Sequence, residues 1–146
     1  MSEPARIAVT VDVAVFTIRE GRAMLALVER GNDPYRGMLA LPGGFVDETE
    51  ELDAAAAREL GEETGLVVPV DSLIQLGAYG APGRDPRGRT VSIVYWALVA
   101  DLADPVGGSD AADSRLVPVD EALTIPLAFD HSVILTDAVA VLETDH

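Results

Sequence analysis

The chain contains neither cysteine nor lysine, and its ten basic residues are all arginine. Each absence removes chemistry. Without cysteine there is no disulfide framework, no thiolate nucleophile and no cysteine-ligated zinc. Without lysine there is no Schiff-base amine and no lysine of a Walker phosphate loop. Histidine is scarce as well, with only His131 and His146. A three-histidine metal site is therefore excluded, and a Ser-His-Asp triad would have to be built on one of the two. Long apolar runs are also missing, because polar residues interrupt every stretch before it reaches spanning length. The N-terminus, with Glu3, Pro4 and Arg6, lacks the apolar core of a secretion signal. No membrane association is expected, and the expected location is the cytoplasm.

What is present in excess is acid. The 25 acidic residues outnumber the basic ones to give a formal net charge of −15. Such a surface repels the phosphate backbone of DNA or RNA, so nucleic acid is not an expected partner. A small anionic substrate is compatible with this charge only where cations or a local arginine cluster offset the repulsion. The 49% hydrophobic content excludes intrinsic disorder. At 146 residues the chain can bury one core but not two, so a single domain over residues 1–146 is expected.

Ile7, Val9, Val11, Val13 and Val15 alternate with smaller or polar residues, which predicts a strand with one buried face. The Glu20-Gly21 pair interrupts it and Met24 to Val28 reads as a second strand, so the two form a hairpin. Gly31-Asn32-Asp33-Pro34 is loop chemistry, followed by the apolar Met38 to Leu41 and then Pro42-Gly43-Gly44. From Leu52 to Thr64 the pattern is helical, with Leu52 and Leu60 on one side, Asp47 and Thr49 as N-cap candidates and Gly65 placed to cap the C-terminus. Leu73 to Ala78 and Thr90 to Val99 read as strands divided by the Gly/Pro/Arg-rich loop Gly80 to Gly88. Pro105 to Asp110 reads as a loose loop and Leu116 to Val119 as a short strand. A last helix is predicted over Ser132 to Leu142, carried by Val133, Ile134, Ala138 and Val141 behind an Asp130 cap. Strands and helices mix without regular βαβ alternation, so the expected fold class is α+β, as an α/β/α sandwich.

The most informative stretch is Gly44 to Leu66, GFVDETEELDAAAARELGEETGL. On a helix Glu59 and Glu63 sit one turn apart on nearly the same face, and Glu62 lies on the flank about 60° from Glu59. A run of glutamates is by default a solvated helix face. Like charges at this spacing destabilise a helix by a few tenths of a kcal/mol per pair, however, and divalent cations on carboxylate oxygens are the natural offset. Gly43-Gly44 supplies backbone that can approach a metal or phosphate closely. Arg58 stands four residues before Glu62, suited to an (i, i+4) ion pair.

Gly44, five residues, Glu50, seven residues, Arg58-Glu59-Leu60, one residue, Glu62-Glu63, one residue and Gly65-Leu66 match the Nudix box at every specified position. The chain therefore resembles the Nudix hydrolases, and the flanking strands fit that domain over nearly its whole length. The resemblance implies an α/β/α sandwich with a mixed central sheet. It also implies Mg²⁺- or Mn²⁺-dependent hydrolysis of a nucleoside diphosphate linked to another group. Carried over by position, Glu59 and Glu63 are the principal metal ligands, and Glu62 is a further ligand or the water-activating group. A main-chain carbonyl of Gly43 or Gly44 completes the shell, while Glu50 and Arg58 anchor helix to loop. Some members draw the general base from a downstream loop, where Asp113 and Glu121 are the nearest residues by position. A homodimer is implied by the same likeness.

The substrate reading rests on the segment Gly83-Arg84-Asp85-Pro86-Arg87-Gly88-Arg89, which places three of the ten arginines within six residues. Arginine forks suit phosphate or carboxylate oxygens, although such a cluster can equally pair with nearby acids. Pro82, sixteen residues after Leu66, resembles a feature of the ADP-ribose pyrophosphatase subgroup, as does the surrounding YGAPGRDPRGR. Arg36, Arg84, Arg87, Arg89, Pro82 and His131 are the candidate substrate contacts. Tyr79, Tyr95, Trp96 and Phe129 are aromatic residues able to stack a base, with Trp96 expected in the core. Expected turnover is ADP-ribose to AMP and ribose 5-phosphate. Two alternatives stand beside it: a nucleotide-pool sanitising hydrolase acting on an oxidised dNTP, and a non-catalytic ADP-ribose-sensing module. The second follows from a likeness of Gly31–Pro34 and Leu127–His131 to the Nudix domains of NAD-metabolism regulators. Those regulators add a C-terminal winged helix, whereas this sequence ends at His146 with an intact box, so catalysis is the expectation.

Overall fold

The computed structural model describes residues 3–106 and 111–145. Among the described residues seven strands form one mixed sheet: β1 (Ala8–Arg19), β2 (Arg22–Arg30), β3 (Leu39–Ala40), β4 (Gly43–Phe45), β5 (Ile74–Tyr79), β6 (Thr90–Leu98) and β7 (Ala111–Pro118). Helix α1 spans Leu52–Thr64, α2 is the single turn Val119–Ala122, and α3 spans His131–Asp145. The path through the sheet is β3-β2-β1-β6-β5, with β4 joined to β1 and β7 to β2. β1 runs parallel to β6 along its length, from Ala8 opposite Thr90 to Phe16 opposite Leu98. The other pairings are antiparallel.

The first strand departs from its expected single buried face, for Thr10 to Thr17 are all buried. Its position explains this: β1 lies inside the sheet, and a helix covers each side. Val11, Val13 and Val15 pack with Ala55, Ala56 and Leu60 of α1. Ala14 and Phe16 face the other way, onto a core containing Trp96, Ile134, Leu135 and Ala138. The same division continues across β2 and β6. Leu25, Leu27, Val94 and Trp96 point to the α3 side, whereas Ala26, Tyr95 and Ala97 point to the α1 side. The result is the expected α/β/α sandwich. Burial of each large core side chain contributes about 1.5–3 kcal/mol.

Helix α1 has the predicted ends. Gly65 adopts φ 72° and its N–H donates to the Gly61 carbonyl, so the cap is left-handed, as expected. Its buried side is Ala55, Ala56, Leu60 and Thr64, while Leu52 stays 36% exposed. The N-terminus is not closed by Asp47 or Thr49. Glu51 occupies the cap position without a side-chain bond, and the Asp47 N–H instead donates to Glu50 Oε1. In α3, Val133 is exposed and Leu135 and Leu142 join Ile134 and Ala138 in the core. Asp130 does not cap that helix with its side chain, which is engaged by Arg84. β7 begins five residues before the expected Leu116–Val119, because its polar residues Asp113 to Arg115 continue the ladder with β2, and it stops at Pro118, with Val119 opening α2. Of the expected loop Pro105–Asp110, residues 107–110 lie outside the described part. Among the described residues no helix is long and apolar enough to cross a membrane.

Gly61 inside α1 and Gly65 at its cap test the backbone argument with opposite signs. Replacing Gly65 by alanine forces a Cβ into the left-handed region and is expected to reduce stability by about 1 kcal/mol. Gly61→Ala meets nothing closer than the Leu66 carbonyl at 3.7 Å and is expected to add up to about 1 kcal/mol from helix propensity. Urea unfolding of both variants measures the difference.

Candidate functional site

The cleft arises from a split in the sheet. β1 and β2 pair only between Phe16–Arg19 and Arg22–Leu25. Beyond that, β1 takes β4 as its neighbour and β2 takes β3. The space where the two long strands part is a cleft of about 480 Å³. Its walls come from Thr10 and Asp12 of β1, Val28 to Arg30 of β2, Gly43 to Phe45 of β4, and Glu59 and Glu63 of α1. Arg84, Asp85 and Arg87 of the loop before β6 close it, together with Phe129 and His131 at the start of α3.

One wall is acidic. The Gly43 N–H donates to Glu63 Oε1 at 2.7 Å, which fixes that carboxylate against the backbone. A Cβ on Gly44 would stand 2.6 Å from the carboxyl carbon of Glu59, and one on Gly43 would stand 2.9 Å from Asp12 Cα. Only glycine lets the β4 backbone lie so close to the carboxylates. Burial pushes the Glu63 carboxyl up to about 7; the Gly43 N–H offsets part of this, and neighbouring Glu59 and Asp12 add to the rise. Glu59 is raised by burial as well, against the opposing pull of Arg58. These are hard oxygen donors packed against the Gly43-Gly44 backbone, the donor chemistry that Mg²⁺ or Mn²⁺ selects. Glu59 and Glu63, with a carbonyl of Gly43 or Gly44, are the groups able to hold such an ion. Among the described residues no three acidic or imidazole side chains converge as a ready cage. Glu62 accounts for part of that, being 57% exposed and turned outside the cleft to Arg58.

Arg58 organises this turn from behind. Its Nε and one Nη fork onto Glu50 at 2.7 and 2.9 Å, and its other Nη reaches Glu59 at 2.7 Å and Glu62 at 3.1 Å. It also donates to the Phe45 carbonyl at 3.2 Å, joining α1 to β4. The hydrogen bonds to Glu50 hold the guanidinium pKa above its ordinary value and the Glu50 carboxyl below its own. Neither Glu50 nor Arg58 lines the cleft.

The opposite wall carries arginine and aromatic groups. Arg84 lines the cleft, but its side chain is only 4% exposed and forks onto Asp130 at 2.9 and 2.7 Å, tying the loop to α3. Arg87 pairs with Asp85 at 2.8 Å and lies 5.3 Å from the Phe45 ring and 5.5 Å from the Phe129 ring. Phe129 and Tyr35 both adopt left-handed backbone, φ 55° and 61°, and their rings meet at 4.8 Å. Such conformations cost on the order of 1–3 kcal/mol each and persist where surrounding contacts enforce them. Arg36 is exposed beside Asp33, Arg89 bonds the Gly80 carbonyl, and Pro82 is exposed; none of the three lines the cleft. Asp113 and Glu121 lie outside it too, facing Arg115 and Arg22. Tyr79 bonds Asp137, and Tyr95 and Trp96 are buried, leaving Phe129 alone among the four stacking candidates in the cleft.

His131 is buried, and its Nδ1 accepts the Leu41 N–H at 3.0 Å. The ring proton therefore sits on Nε2, which faces Asp12 Oδ1 at 3.6 Å. Burial lowers its pKa, outweighing the attraction of Asp12 and Asp130, and keeps the ring neutral. Asp12 also accepts a hydrogen bond from the Ser92 hydroxyl. Asp12, Arg30 and Phe45 were not foreseen as site residues. The one available signal was Asp12, an acid in an otherwise apolar strand.

Residues 8–138 match the NUDIX domain family. The chain is 42% identical over 128 residues to an ADP-ribose pyrophosphatase of Methanocaldococcus jannaschii, covering 86% of this chain and 71% of that protein. It is 39% identical over 133 residues to the ADPR responsive transcriptional repressor NtrR of Acinetobacter baylyi. That match covers 90% of the chain and 52% of the repressor, so the chain spans about half the repressor's length. The NUDIX domain of Shewanella oneidensis NrtR, solved in complex with ADP ribose, superimposes with a TM-score of 0.88 at 36% identity. There the match covers 94% of this chain and 90% of that one. The chain belongs to the NUDIX family, and its sheet and helices form the Nudix fold.

The raised Glu63 carboxyl has a stability consequence. Because its folded pKa of about 7 exceeds the ordinary 4.5, ionisation is penalised in the metal-free fold. The penalty is absent below about pH 4.5, grows as pH rises and is complete above 7. Glu63→Gln, whose carbonyl still accepts the Gly43 N–H, is expected to stabilise the chelated protein at pH 8 by on the order of 2–3 kcal/mol. At pH 4.5 it should change little. Thermal melts in EDTA at the two pH values measure this.

Proposed function

We propose that the chain hydrolyses the pyrophosphate bond of a nucleoside diphosphate derivative, with ADP-ribose cleaved to AMP and ribose 5-phosphate in the presence of Mg²⁺ or Mn²⁺. The observation that carries this reading is the pair Glu59 and Glu63, packed against the Gly43-Gly44 backbone on one wall of the cleft. When bound there, the divalent ion supplies charge neutralisation for the phosphoryl oxygens and a lowered pKa for an attacking water. Glu59 and Glu63, with a carbonyl of Gly43 or Gly44, would hold it, whereas Glu62 stands outside the cleft on Arg58. Arg58 and Glu50 keep the helix turn and its loop in register and touch no substrate. In the reaction, a water oxygen bonds to phosphorus, the bridging P–O bond breaks, and the water proton passes to a carboxylate. Phe129 and Phe45 offer faces for the base, and Arg87 adds positive charge beside them. His131, neutral and bonded on Nδ1, serves as a wall and a brace for Leu41.

A second reading, an ADP-ribose-sensing module, is supported by the likeness to the repressor and to the Shewanella domain. The complete acidic turn and the likeness to the pyrophosphatase favour turnover.

Incubation with ADP-ribose and Mg²⁺ is expected to release AMP, and chelation to stop it. Glu59→Gln and Glu63→Gln should each lower kcat by about 100-fold or more. Apparent Mg²⁺ affinity should rise from pH 6 to pH 8, since the proton held by Glu63 competes with the ion. Tight ADP-ribose binding without product would establish the sensing module instead, and faster turnover of 8-oxo-dGTP would assign the sanitising reaction.

A further inference from the structure

β3 ends at Ala40 and β4 begins at Gly43, so Leu41 and Pro42 form the turn that delivers the glycine pair to the acidic wall. The Pro42 carbonyl accepts the Val13 N–H at 2.9 Å, which pins the turn to β1. The Leu41 N–H belongs to neither the β2–β3 nor the β1–β4 ladder, and Leu41 is only 2% exposed. A buried N–H without an acceptor bears the full penalty of leaving water. His131 Nδ1 is that acceptor, at 3.0 Å. The same imidazole reaches the far side of Gly43. Its Nε2 faces Asp12 Oδ1 at 3.6 Å, and Asp12 is the register partner of Gly43 in the β1–β4 ladder. The Ser92 hydroxyl donates to Asp12 and holds it there. Gly43 is thus flanked by two groups that His131 engages, the turn before it and the carboxylate opposite it.

The ring is itself anchored. The Ala128 N–H donates to the Leu39 carbonyl at 2.9 Å, the His131 N–H to the Ala128 carbonyl at 3.1 Å, and Arg84 forks onto the adjacent Asp130. With its Nδ1 lone pair taken by Leu41, the ring has none left to accept a proton, which argues for a strut over an acid–base group. We propose that His131 is a positioning residue: through Leu41 and Asp12 it sets the Gly43 backbone, whose N–H fixes Glu63 Oε1 at 2.7 Å, and thereby the carboxylate geometry that a divalent ion meets. Groups that orient ligands without touching the ion typically change metal affinity ten- to a hundredfold when lost. The proposal rests on the metal reading of the acidic wall and extends it to a residue of the opposite wall, outside the box. It separates His131 from a substrate contact, because the loss falls on ion binding with no substrate present.

Two measurements on the full chain test this without turnover: hydrogen exchange of the Gly43 amide in EDTA, and Mn²⁺ affinity from the spin-resonance signal of the free ion. H131F keeps a ring but offers the Leu41 N–H no acceptor. It is expected to speed Gly43 exchange and to weaken Mn²⁺ about tenfold or more. H131L replaces it if the larger ring prevents folding. H131N puts an amide oxygen where Nδ1 stood and should bring Mn²⁺ affinity back to within about threefold of wild type. I134V trims the α3 core outside the cleft lining, so it should lower the melting temperature and move neither readout. Unchanged Gly43 exchange in H131F would overturn the proposal and leave the metal reading standing. So would unchanged Mn²⁺ affinity in H131F when the wild type binds the ion. Failure of H131N to recover would overturn it as well, since the Leu41 bond would not then be the route. A wild-type chain that binds no Mn²⁺ would remove the metal reading, and Gly43 exchange alone would then decide the strut.

Discussion

Repulsion among carboxylates in a confined space is the constraint on which the rest of this molecule depends. Asp12, Glu59 and Glu63 come from two elements far apart in sequence and line one cleft. Each would be cheaper in water. Three devices hold them in place: glycine backbone that leaves room and donates an N–H, the Ser92 hydroxyl on Asp12, and Arg58 bridging the helix turn to its loop. Burial outweighs the Gly43 N–H at Glu63, so its proton is held to about neutral pH.

The sheet supplies the other half of the arrangement. A hairpin that stayed paired from end to end would leave no opening. Here the β1–β2 ladder stops after four residue pairs, and the two short strands β3 and β4 cap the separated edges. Acidic groups enter from β1 and α1, and arginine and aromatic groups from β2, the loop before β6 and the start of α3.

Much of this was legible in residue order. The alanine-rich helical pattern set α1 to within its observed bounds, and Gly65 marked its end because a left-handed cap favours glycine. β2, β5 and β6 followed from apolar runs. β3 and β4 did not, because two or three residues carry no period. β1 was read as half-buried because its polar positions look solvent-facing. In the fold those positions, Thr10 and Asp12, face the cleft. The arginine cluster was legible as charge but not as geometry: whether an arginine meets a ligand or an acid depends on partners such as Asp130 and Asp85, and Asp130 is 46 residues away from Arg84.

The parallel ladder between β1 and β6 links residues some 80 positions apart, as the Ser92–Asp12 bond illustrates. Contacts of that separation close long loops before they return any stabilisation, and they form late in folding. On a ribosome the innermost strand would emerge before β6 and wait for that segment to be synthesised before its second edge could be satisfied. Until then an apolar stretch stands with an open edge, so the centre of the finished protein is also the part most vulnerable to aggregation while the chain is being made.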